Sequence, residues 1–476
     1  MGSLRVLPRD IAWLPWSAGA FARARTERKP VLLCIATAWS QSCCEMDRTS
    51  YADPSNAFLI NDAFIPVRVD ADRRPDISER YNLGGWPTTA FLTPDGELLG
   101  GGTYVAASRL GRVLEDVRAA FLQSAPADRR ATAPSEPAGS LVPAMDPDAL
   151  CARIFADYDA TFGGFGTESK FPHTAPLHLA LQRHRRSPDS GHASMVMTTL
   201  DAMGWGGLYD EANGGFFRCA AARNWRQPHR EKTLEVNAQL LRVYTDAAEA
   251  LAVARFGERA AGVLTFAQNW LADQQDGGWY GSQRADDGHI DTAFYADANA
   301  VMASAVLRAA AVFGDASLRD FALKSLERVL LACYRPGQGV AHYYDGSAHV
   351  RGLLGDQIAM AAAQLDAFET TENIVYEMMA EELAHYAIRD MWDSGAGGFF
   401  DRASGDESEA VGLMRVRLKP FVMNCEAARM LRRLAATSGD GEFARRADET
   451  LAAVGPAAAE QGPLAAHYLL ALDQAR

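Results

Sequence analysis

Glycine-rich aromatic segments recur along the second part of the chain at intervals of roughly 50 to 60 residues. Four copies pair two glycines with aromatic side chains and begin at Gly163, Gly214, Gly277 and Gly397, and a more divergent copy begins at Gly337. A period of this length indicates one supersecondary unit repeated along the chain. Each unit is predicted to be a helix, a glycine–aromatic turn and a second helix, and this repeat constrains the fold more than any other feature.

Twelve amphipathic segments flank these turns, and each has apolar residues at helical spacing. They are predicted to be helices near residues 147–157, 175–186, 194–209, 231–251, 257–274, 294–313, 316–334, 355–369, 372–392, 420–436, 441–454 and 463–474. Six hairpins of this kind close into an (α/α)6 toroid whose inner helices follow the glycine-rich turns. An open α-solenoid of helix pairs is the alternative, and aromatic Gly–Gly turns favour the closed toroid.

The first part of the chain, residues 1–123, alternates short apolar runs with helical stretches. The runs at 31–36, 64–70 and 88–92 are predicted to be strands, with helices at 18–28, from about Cys43, and at 107–121. Strands interleaved with helices indicate an α/β sheet. Residues 124–146 are rich in Pro, Ala and Ser, which is typical of a linker between this domain and the helical domain at 147–476.

The segment after the first strand has the frame of a thioredoxin-type site. Such a site needs a low-pKa thiolate at a helix N-terminus, a second cysteine three residues later and a facing proline, here Pro87. Ser40 stands in the first position, and its hydroxyl is not appreciably ionised near neutral pH, whereas Cys43 keeps the second position. Ser40 therefore cannot lead disulfide exchange. Cys43 and Cys44 are packed thiols, a strained vicinal disulfide or a lone reactive thiol.

Several stretches of the first domain resemble a known family. Residues 29–33, 46–51, 69–76 and 84–96 are similar to the N-terminal domain of the thioredoxin-domain family that includes the spermatogenesis-associated protein of mammals. That family carries Cys-His-Trp-Cys-His where this chain has residues 40–44.

The resemblance continues over residues 147–476, on motifs at 165–172, 206–210, 214–218 and 225–232. It implies an α/β thioredoxin-like fold followed by an all-α toroid similar to six-hairpin sugar-active proteins, such as N-acylglucosamine epimerases and unsaturated glucuronyl hydrolases. A shared fold does not by itself transfer a reaction.

Polar and aromatic residues near the starts of the inner helices are predicted to line one mouth of the toroid. Carboxylates accept hydrogen bonds from hydroxyls, aromatic rings stack on sugar C–H faces, and paired carboxylates or histidines can transfer protons. The predicted catalytic residues are His229, Glu231, Asp297 and Asp356. The predicted ligand-binding residues are Lys170, His173, Asp210, Trp225, Lys232, Asn237, Tyr295 and Asn424. Glu235 and Glu426 belong to the same predicted mouth.

The formal charge of −13 argues against a nucleic-acid partner and against an anionic membrane surface. A membrane span is not expected, because we find no run of about 18 apolar residues. The first ten residues lack the apolar core of a secretory signal. Seven scattered cysteines are typical of a reducing cytoplasm, where we expect the protein. Neither metal-ligand spacing nor a dinucleotide fingerprint is found, so no metal or cofactor is expected.

Three functional hypotheses follow from the sequence. The first is a toroid that binds or processes a carbohydrate-like polar small molecule, with the thioredoxin-like domain as a regulatory module or a docking site for a protein partner. The second is a thiol–disulfide oxidoreductase or redox sensor that uses Cys43 or Cys44. The third is a non-enzymatic scaffold.

Overall fold

The structure is a computed structural model that describes residues 10–123, 145–188, 190–405 and 410–473. The chain divides into two compact units. The N-terminal unit comprises residues 1–139 and 404–417, and the toroid unit comprises residues 140–403 and 418–476. Most of the predicted linker, residues 124–144, lies outside the described residues.

The N-terminal unit has a four-stranded mixed sheet with helices between its strands. In chain order its elements are α1 (Ala18–Glu27), β1 (Val31–Ala36), α2 (Gln41–Arg48), α3 (Pro54–Ala63), β2 (Ile65–Asp70), α4 (Pro75–Tyr81), β3 (Thr88–Leu92), β4 (Leu98–Gly102) and α5 (Ala107–Gln123). The strand order is β2-β1-β3-β4, with β1 and β2 parallel and the other pairs antiparallel. Every residue of β1 is buried, because helices cover both faces of a central strand.

A short segment distant in sequence completes the N-terminal unit. Residues 404–417 cluster with it, and Val411 and Met414 are buried in the core on one side of its sheet. The Tyr81 hydroxyl donates to the carbonyl of Gly96 and accepts from the amide of Leu413, at 2.7 and 2.8 Å. From the sequence, this segment was expected to belong to the helical domain at 147–476. Its place in the N-terminal unit could not be predicted, because it depends on contacts with residues more than 300 positions away.

Among its described residues the toroid unit has twelve α-helices in two layers, as predicted. The inner helices are α7 (Ala175–Arg186), α9 (Leu234–Leu251), α11 (Ala296–Phe313), α13 (Leu354–Thr371), α15 (Phe421–Ser438) and α17 (Ala466–Asp473). The outer helices are α6 (Pro147–Ala156), α8 (His192–Trp205), α10 (Ala254–Phe266, continued by a π-helical turn at Ala267–Leu271), α12 (Ala316–Cys333), α14 (Ile374–Met391) and α16 (Gly441–Val454).

The inner helices form a closed ring. Each of them contacts the next inner helix along the chain, and α17 contacts α7. An open solenoid has no contact between its first and last repeats, so the structure is the closed (α/α)6 toroid. The space that the six inner helices enclose is called the lumen below.

Short strands lie in the connections before the inner helices. They are β5 (Cys219–Ala220), β6 (Pro228–His229), β7 (Lys232–Thr233), β8 (Ser282–Gln283), β9 (Ile290–Asp291), β10 (Phe294–Tyr295), β11 (Tyr334–Arg335), β12 (Gly339–Tyr344) and β13 (Ala348–Arg351). Because each outer helix returns the chain to the same end of the ring, the inner helices all begin at one end of the lumen.

One inner helix is unusually apolar. Helix α11 is long and apolar enough to cross a membrane by length and composition, and 56% of that stretch is buried inside the structure. This helix differs from the expectation that no apolar run in the chain is long enough to span a membrane. In the toroid unit α11 packs against α9, α12 and α13.

Candidate functional site

The glycine-rich turns share one hydrogen-bonding scheme. Each full copy begins with an aspartate four residues before its first glycine: Asp159, Asp210, Asp273 and Asp393. One carboxylate oxygen accepts from two backbone amides of its own turn. The other pairs with a cation at 2.6–2.9 Å, namely Lys170, Lys232, Arg328 or Lys419. The glycines have positive φ, for example 74° at Gly214, a conformation that costs glycine little.

In four of the five turns, those that begin at Gly214, Gly277, Gly337 and Gly397, an amide side chain on the following inner helix holds the residue after the second glycine. Asn237 accepts from the amide of Phe216 at 2.8 Å and donates to its carbonyl at 3.0 Å. The same pair of bonds joins Asn299 to Trp279, Gln357 to Val340, and Asn424 to Phe399. Each amide side chain therefore makes the two hydrogen bonds that a neighbouring β-strand would make, and it fixes the turn to the inner helix.

Six of the predicted ligand-binding residues have their contacts in these turns. Lys170, Asp210, Lys232, Asn237 and Asn424 belong to the scheme just described. Trp225 is buried, donates from its indole nitrogen to the carbonyl of Phe162 at 2.9 Å and packs over Gly164. Their hydrogen bonds are made within the protein, so the structure gives these residues a scaffolding role.

A different group of polar residues gathers at the end of the lumen where the inner helices begin. Glu235 and Asp297 are each the second residue of their helix, α9 and α11, and Asp356 is the third residue of α13. His342 of β12 joins them. One ligand atom each from Asp297, His342 and Asp356 lies within 4.8 Å of the others. Glu235, Asp297, His342 and Asp356 are called the acid cluster below.

The carboxyl groups of the acid cluster are electrostatically unusual. Solvent reaches Glu235, yet the surrounding protein removes enough water to raise the pKa of this carboxyl to about 7, and the negative charge of Asp297 acts in the same direction. Burial raises the pKa of Asp356 to about 6, although the adjacent His342 acts in the opposite direction. Burial therefore outweighs the stabilisation that a helix N-terminus gives to a carboxylate.

His342 and Tyr295 complete one wall of the cluster. His342 Nδ1 lies 2.9 Å from Asp356 Oδ1, and both side chains are buried. The Tyr295 ring lies 5.6 Å from the His342 ring, and its hydroxyl donates to Asp291 at 2.8 Å. Asp297, Asp356 and Tyr295 are predicted site residues that the structure brings together, whereas His342 was missed.

The opposite part of the lumen carries histidines and arginines. Burial lowers the pKa of His178 to about 4, and the positive charges of Arg242, Arg429 and His467 add to this effect, although Asp246 opposes it. These residues come from α7, α9, α15 and α17, which are neighbours around the ring. Glu426 pairs with His467 at 2.6 Å and with Arg429, and these partners lower its pKa to about 2 against the effect of burial.

The remaining predicted residues lie outside the acid cluster. His229 is exposed on β6, and Glu231 is buried in an ion pair with Arg218 at 2.7 Å. His173 precedes α7, and burial lowers its pKa, with the positive charges of His467 and Lys170 contributing. The structure does not bring His229 and Glu231 into a group with the other two predicted catalytic residues, and their catalytic role stays a prediction.

In the N-terminal unit, the thioredoxin-type positions lie at the start of α2 and directly before β3. Ser40 caps α2 and accepts from the amide of Cys43 at 3.4 Å, and the Trp86–Pro87 peptide bond is cis. The thiol of Cys43 is 3% exposed, and burial raises its pKa, which is opposite to the shift that an attacking thiol needs. None of the seven cysteines, all of which lie among the described residues, forms a disulfide.

Cys43 is therefore expected to react slowly. In a Cys44→Ser variant at pH 7, we expect iodoacetamide to alkylate Cys43 more slowly in the native protein than in the urea-unfolded protein, because burial shields the thiol and raises its pKa, which lowers its thiolate fraction. Mass spectrometry of the peptide that contains Cys43 measures this rate. Native alkylation as fast as that of the unfolded chain would instead favour the redox hypothesis.

The N-terminal unit also has an apolar groove of about 610 Å³ between β4 and α5. Its walls include Phe91, Tyr104, Val113 and Phe121. Strand β4 is an edge strand that contains three consecutive glycines at residues 100–102. The groove has no cluster of titratable groups comparable to the acid cluster among the described residues, so the candidate chemistry lies in the toroid unit.

Comparisons with known proteins agree with both folds. Residues 4–130 match the family model Thioredox_DsbH, described as a protein of unknown function, DUF255. The chain is 30% identical over 307 residues to spermatogenesis-associated protein 20 of Mus musculus, a match that covers 58% of this chain and 39% of the mouse protein. The chain thus spans about two fifths of the length of the curated relatives that it matches.

Solved structures resemble the toroid at the level of fold. Cellobiose 2-epimerase from Bacillus thermoamylovorans B4167 aligns with a TM-score of 0.54 and 10% identity, covering 63% of this chain and 82% of the epimerase. The GH76A α-1,6-mannanase from Salegentibacter sp. HEL1_6 aligns with a TM-score of 0.51 and 11% identity, covering 69% and 98%. The chain therefore has a thioredoxin-like domain followed by a toroid of the six-hairpin glycosidase-like fold, as the sequence predicted.

Proposed function

We propose that the toroid unit binds a carbohydrate-like polar molecule at the acid cluster and transfers protons to or from it. The observation that carries the proposal is the convergence of Glu235, Asp297, Asp356 and His342 at one end of the lumen. Carboxylates there can accept hydrogen bonds from several hydroxyls at once, and a low local dielectric strengthens each of those bonds. A cellobiose 2-epimerase and an α-1,6-mannanase share the fold, which supports the proposal at the level of analogy.

Glu235 is the residue best suited to proton transfer. With a pKa of about 7, it is present in both protonation states near neutral pH, which is the condition for an efficient general acid or base. Asp297 acts on it as the neighbouring negative charge. Two carboxyl groups in different environments are a common basis for dividing acid and base roles. The partly exposed face of α11, which includes Ala298 and Val301, provides surface for a bound ring.

Residues on the other inner helices are consistent with a polar ligand bound in the lumen. Other inner helices carry His178, Glu426 and His467, which face the end of the lumen that holds the acid cluster. On α13, small residues such as Ala359 and Ala362 occupy the partly exposed face of the helix. Small side chains on an inner helix keep space open in the lumen. We further propose a reducing compartment, because none of the seven cysteines, all among the described residues, forms a disulfide.

A thermal-shift panel tests the proposal. The full chain in EDTA is heated with neutral, acidic and phosphorylated mono- and disaccharides. At 100 times its dissociation constant, a ligand stabilises the folded state by about 2.7 kcal/mol, so we expect at least one compound to raise the Tm by several degrees. Hits are then incubated in D2O, where proton NMR separates epimerisation, which exchanges a carbon-bound hydrogen, from hydrolysis, which releases a new reducing end.

Absence of any Tm shift across the panel would contradict ligand binding. It would leave the scaffold hypothesis, whose signature is a stable complex with another protein. A shift without turnover would retain binding and remove the proton-transfer part of the proposal.

A further inference from the structure

The acid cluster contains a group of side chains with the spacing of metal ligands. Asp297 comes from the first turn of α11, His342 from β12 and Asp356 from the first turn of α13. Their ligand atoms lie within 4.8 Å of one another. Atoms about 2.0–2.2 Å from a shared ion are separated by no more than about 4.4 Å, so the group needs only a small adjustment to surround one ion.

The burial of Asp356 is a second, independent observation. Its side chain is 1% exposed, and Oδ2 has no partner in hydrogen-bonding geometry among the described residues. The other oxygen, Oδ1, lies 2.9 Å from His342 Nδ1. A buried carboxylate oxygen without a donor is costly, and a cation between Asp297 and Asp356 would supply the missing favourable interaction.

The ligand types define the class of ion. One imidazole nitrogen and two carboxylates suit first-row divalent ions that accept mixed nitrogen and oxygen ligands, such as Mn²⁺ and Zn²⁺. His342 Nδ1 lies 2.9 Å from Asp356 Oδ1, close to the ~3.0 Å between neighbouring ligand atoms of an octahedral ion such as Mn²⁺, whereas a tetrahedral Zn²⁺ would need the two atoms to move about 0.5 Å apart. Asp297 is partly exposed, which leaves one side of the site open to water or to an oxygen of a bound ligand.

We propose that Asp297, His342 and Asp356 bind one divalent transition-metal ion of the Mn²⁺ or Zn²⁺ class at the end of the lumen. The sequence analysis expected no metal, because the three residues come from separate elements and have no local spacing pattern. The ion site goes beyond the proposed function, and it does not depend on which molecule the lumen binds. An ion there would polarise an oxygen of that molecule.

Titration of the full chain with MnCl2 tests the ion site. The protein is first treated with EDTA and dialysed, and bound Mn²⁺ is then followed by electron paramagnetic resonance. We expect one Mn²⁺ per chain, competed by ZnCl2. The variants Asp297→Asn and His342→Gln each remove one ligand and are expected to weaken Mn²⁺ binding at least about tenfold, which is the lower end of what loss of a supporting residue costs at a metal site.

The matched control is His349→Gln. His349 also pairs with an aspartate, Asp345, at 3.0 Å, but this pair is exposed on β13 and its preceding turn, so the variant should bind Mn²⁺ like the wild type. Circular dichroism establishes that each variant is folded. Asp297→Asn changes a partly exposed side chain and is therefore the variant that keeps the test decisive if His342→Gln does not fold.

Two results would overturn the ion site. One is the absence of saturable Mn²⁺ or Zn²⁺ binding by the folded wild type, and the other is equal affinity in the wild type and Asp297→Asn. Because the sugar panel is run in EDTA, a sugar-induced Tm shift together with no ion binding rejects the ion site alone. Ion binding with no response to the panel, either in EDTA or with saturating MnCl2, rejects the proposed function alone.

Discussion

Replacing Lys170 with alanine is expected to destabilise the toroid unit by about 3–5 kcal/mol, the usual cost of removing one partner from a buried ion pair. The Lys170 ammonium is 0% exposed and donates to Asp159 at 2.9 Å and to the carbonyls of Gly163 and Gly166 at 3.0 and 2.6 Å. Truncation leaves two carbonyls of the first turn without this donor and leaves Asp159 with Arg223 as its remaining cation.

Urea unfolding followed by far-UV circular dichroism measures this effect. Lys324→Ala is the matched control, because Lys324 donates to the carbonyl of Gln275 in another turn but is exposed. Its loss should change the unfolding free energy by less than about 1 kcal/mol. An unfolding midpoint for Lys170→Ala equal to that of the control would contradict the scaffolding role. Normal stability combined with lost ligand binding would restore Lys170 as a ligand-binding residue.

Substitutions in the acid cluster are expected to weaken ligand binding and to leave the stability nearly unchanged, which is the opposite of the effect expected for Lys170→Ala. In Glu235→Gln and Asp297→Asn, the affinity for a panel hit should fall by about 10- to 150-fold, which corresponds to about 1.5–3 kcal/mol for a hydrogen bond to a charged group. Both side chains are reached by solvent, so the unfolding midpoint should change little. Isothermal titration calorimetry in EDTA measures the affinity, and urea unfolding measures the stability.

The control for these variants is Glu258→Gln. Glu258 is an exposed carboxylate on outer helix α10, so its neutralisation changes the net charge by the same amount without touching the lumen. Affinity losses of similar size in Glu258→Gln and Asp297→Asn would show a general charge effect. Unchanged affinity in both cluster variants would locate the binding site elsewhere.

The helices were predictable because their signals are local. Apolar periodicity and the glycine–aromatic turns predicted all twelve toroid helices, and the element types at residues 31–36 and 88–92 are confirmed with the same bounds. The short helices α3 and α4 were not predicted, because seven to ten residues carry little periodicity. The placement of residues 404–417 was not predictable either, since it depends on contacts with residues distant in sequence.

The site was only partly predictable. A sequence does not distinguish polar residues whose hydrogen bonds are made within the protein from polar residues that are available to a ligand. Asn237 and Glu235 are two positions apart at the start of α9, yet Asn237 holds a turn and Glu235 belongs to the acid cluster. Comparison among the repeats would have separated them. The amide recurs as Asn299, Gln357 and Asn424, whereas the position two residues earlier is a carboxylate only in the repeats of Glu235 and Asp297.

His342 was missed for a related reason. It lies in the most divergent repeat, on a strand of six residues where the other copies have short bridges. The sequence contains no pattern that pairs it with Asp356, and only the packing of β12 against α13 brings the two together.

The most direct test of the central claim is a crystal structure of the full chain with the strongest panel ligand. We predict ligand oxygens within hydrogen-bonding distance of Glu235 and Asp297, at the end of the lumen where α9, α11 and α13 begin. Density for the ligand in the groove between β4 and α5, or anywhere outside the lumen, would contradict the assignment of function to the acid cluster.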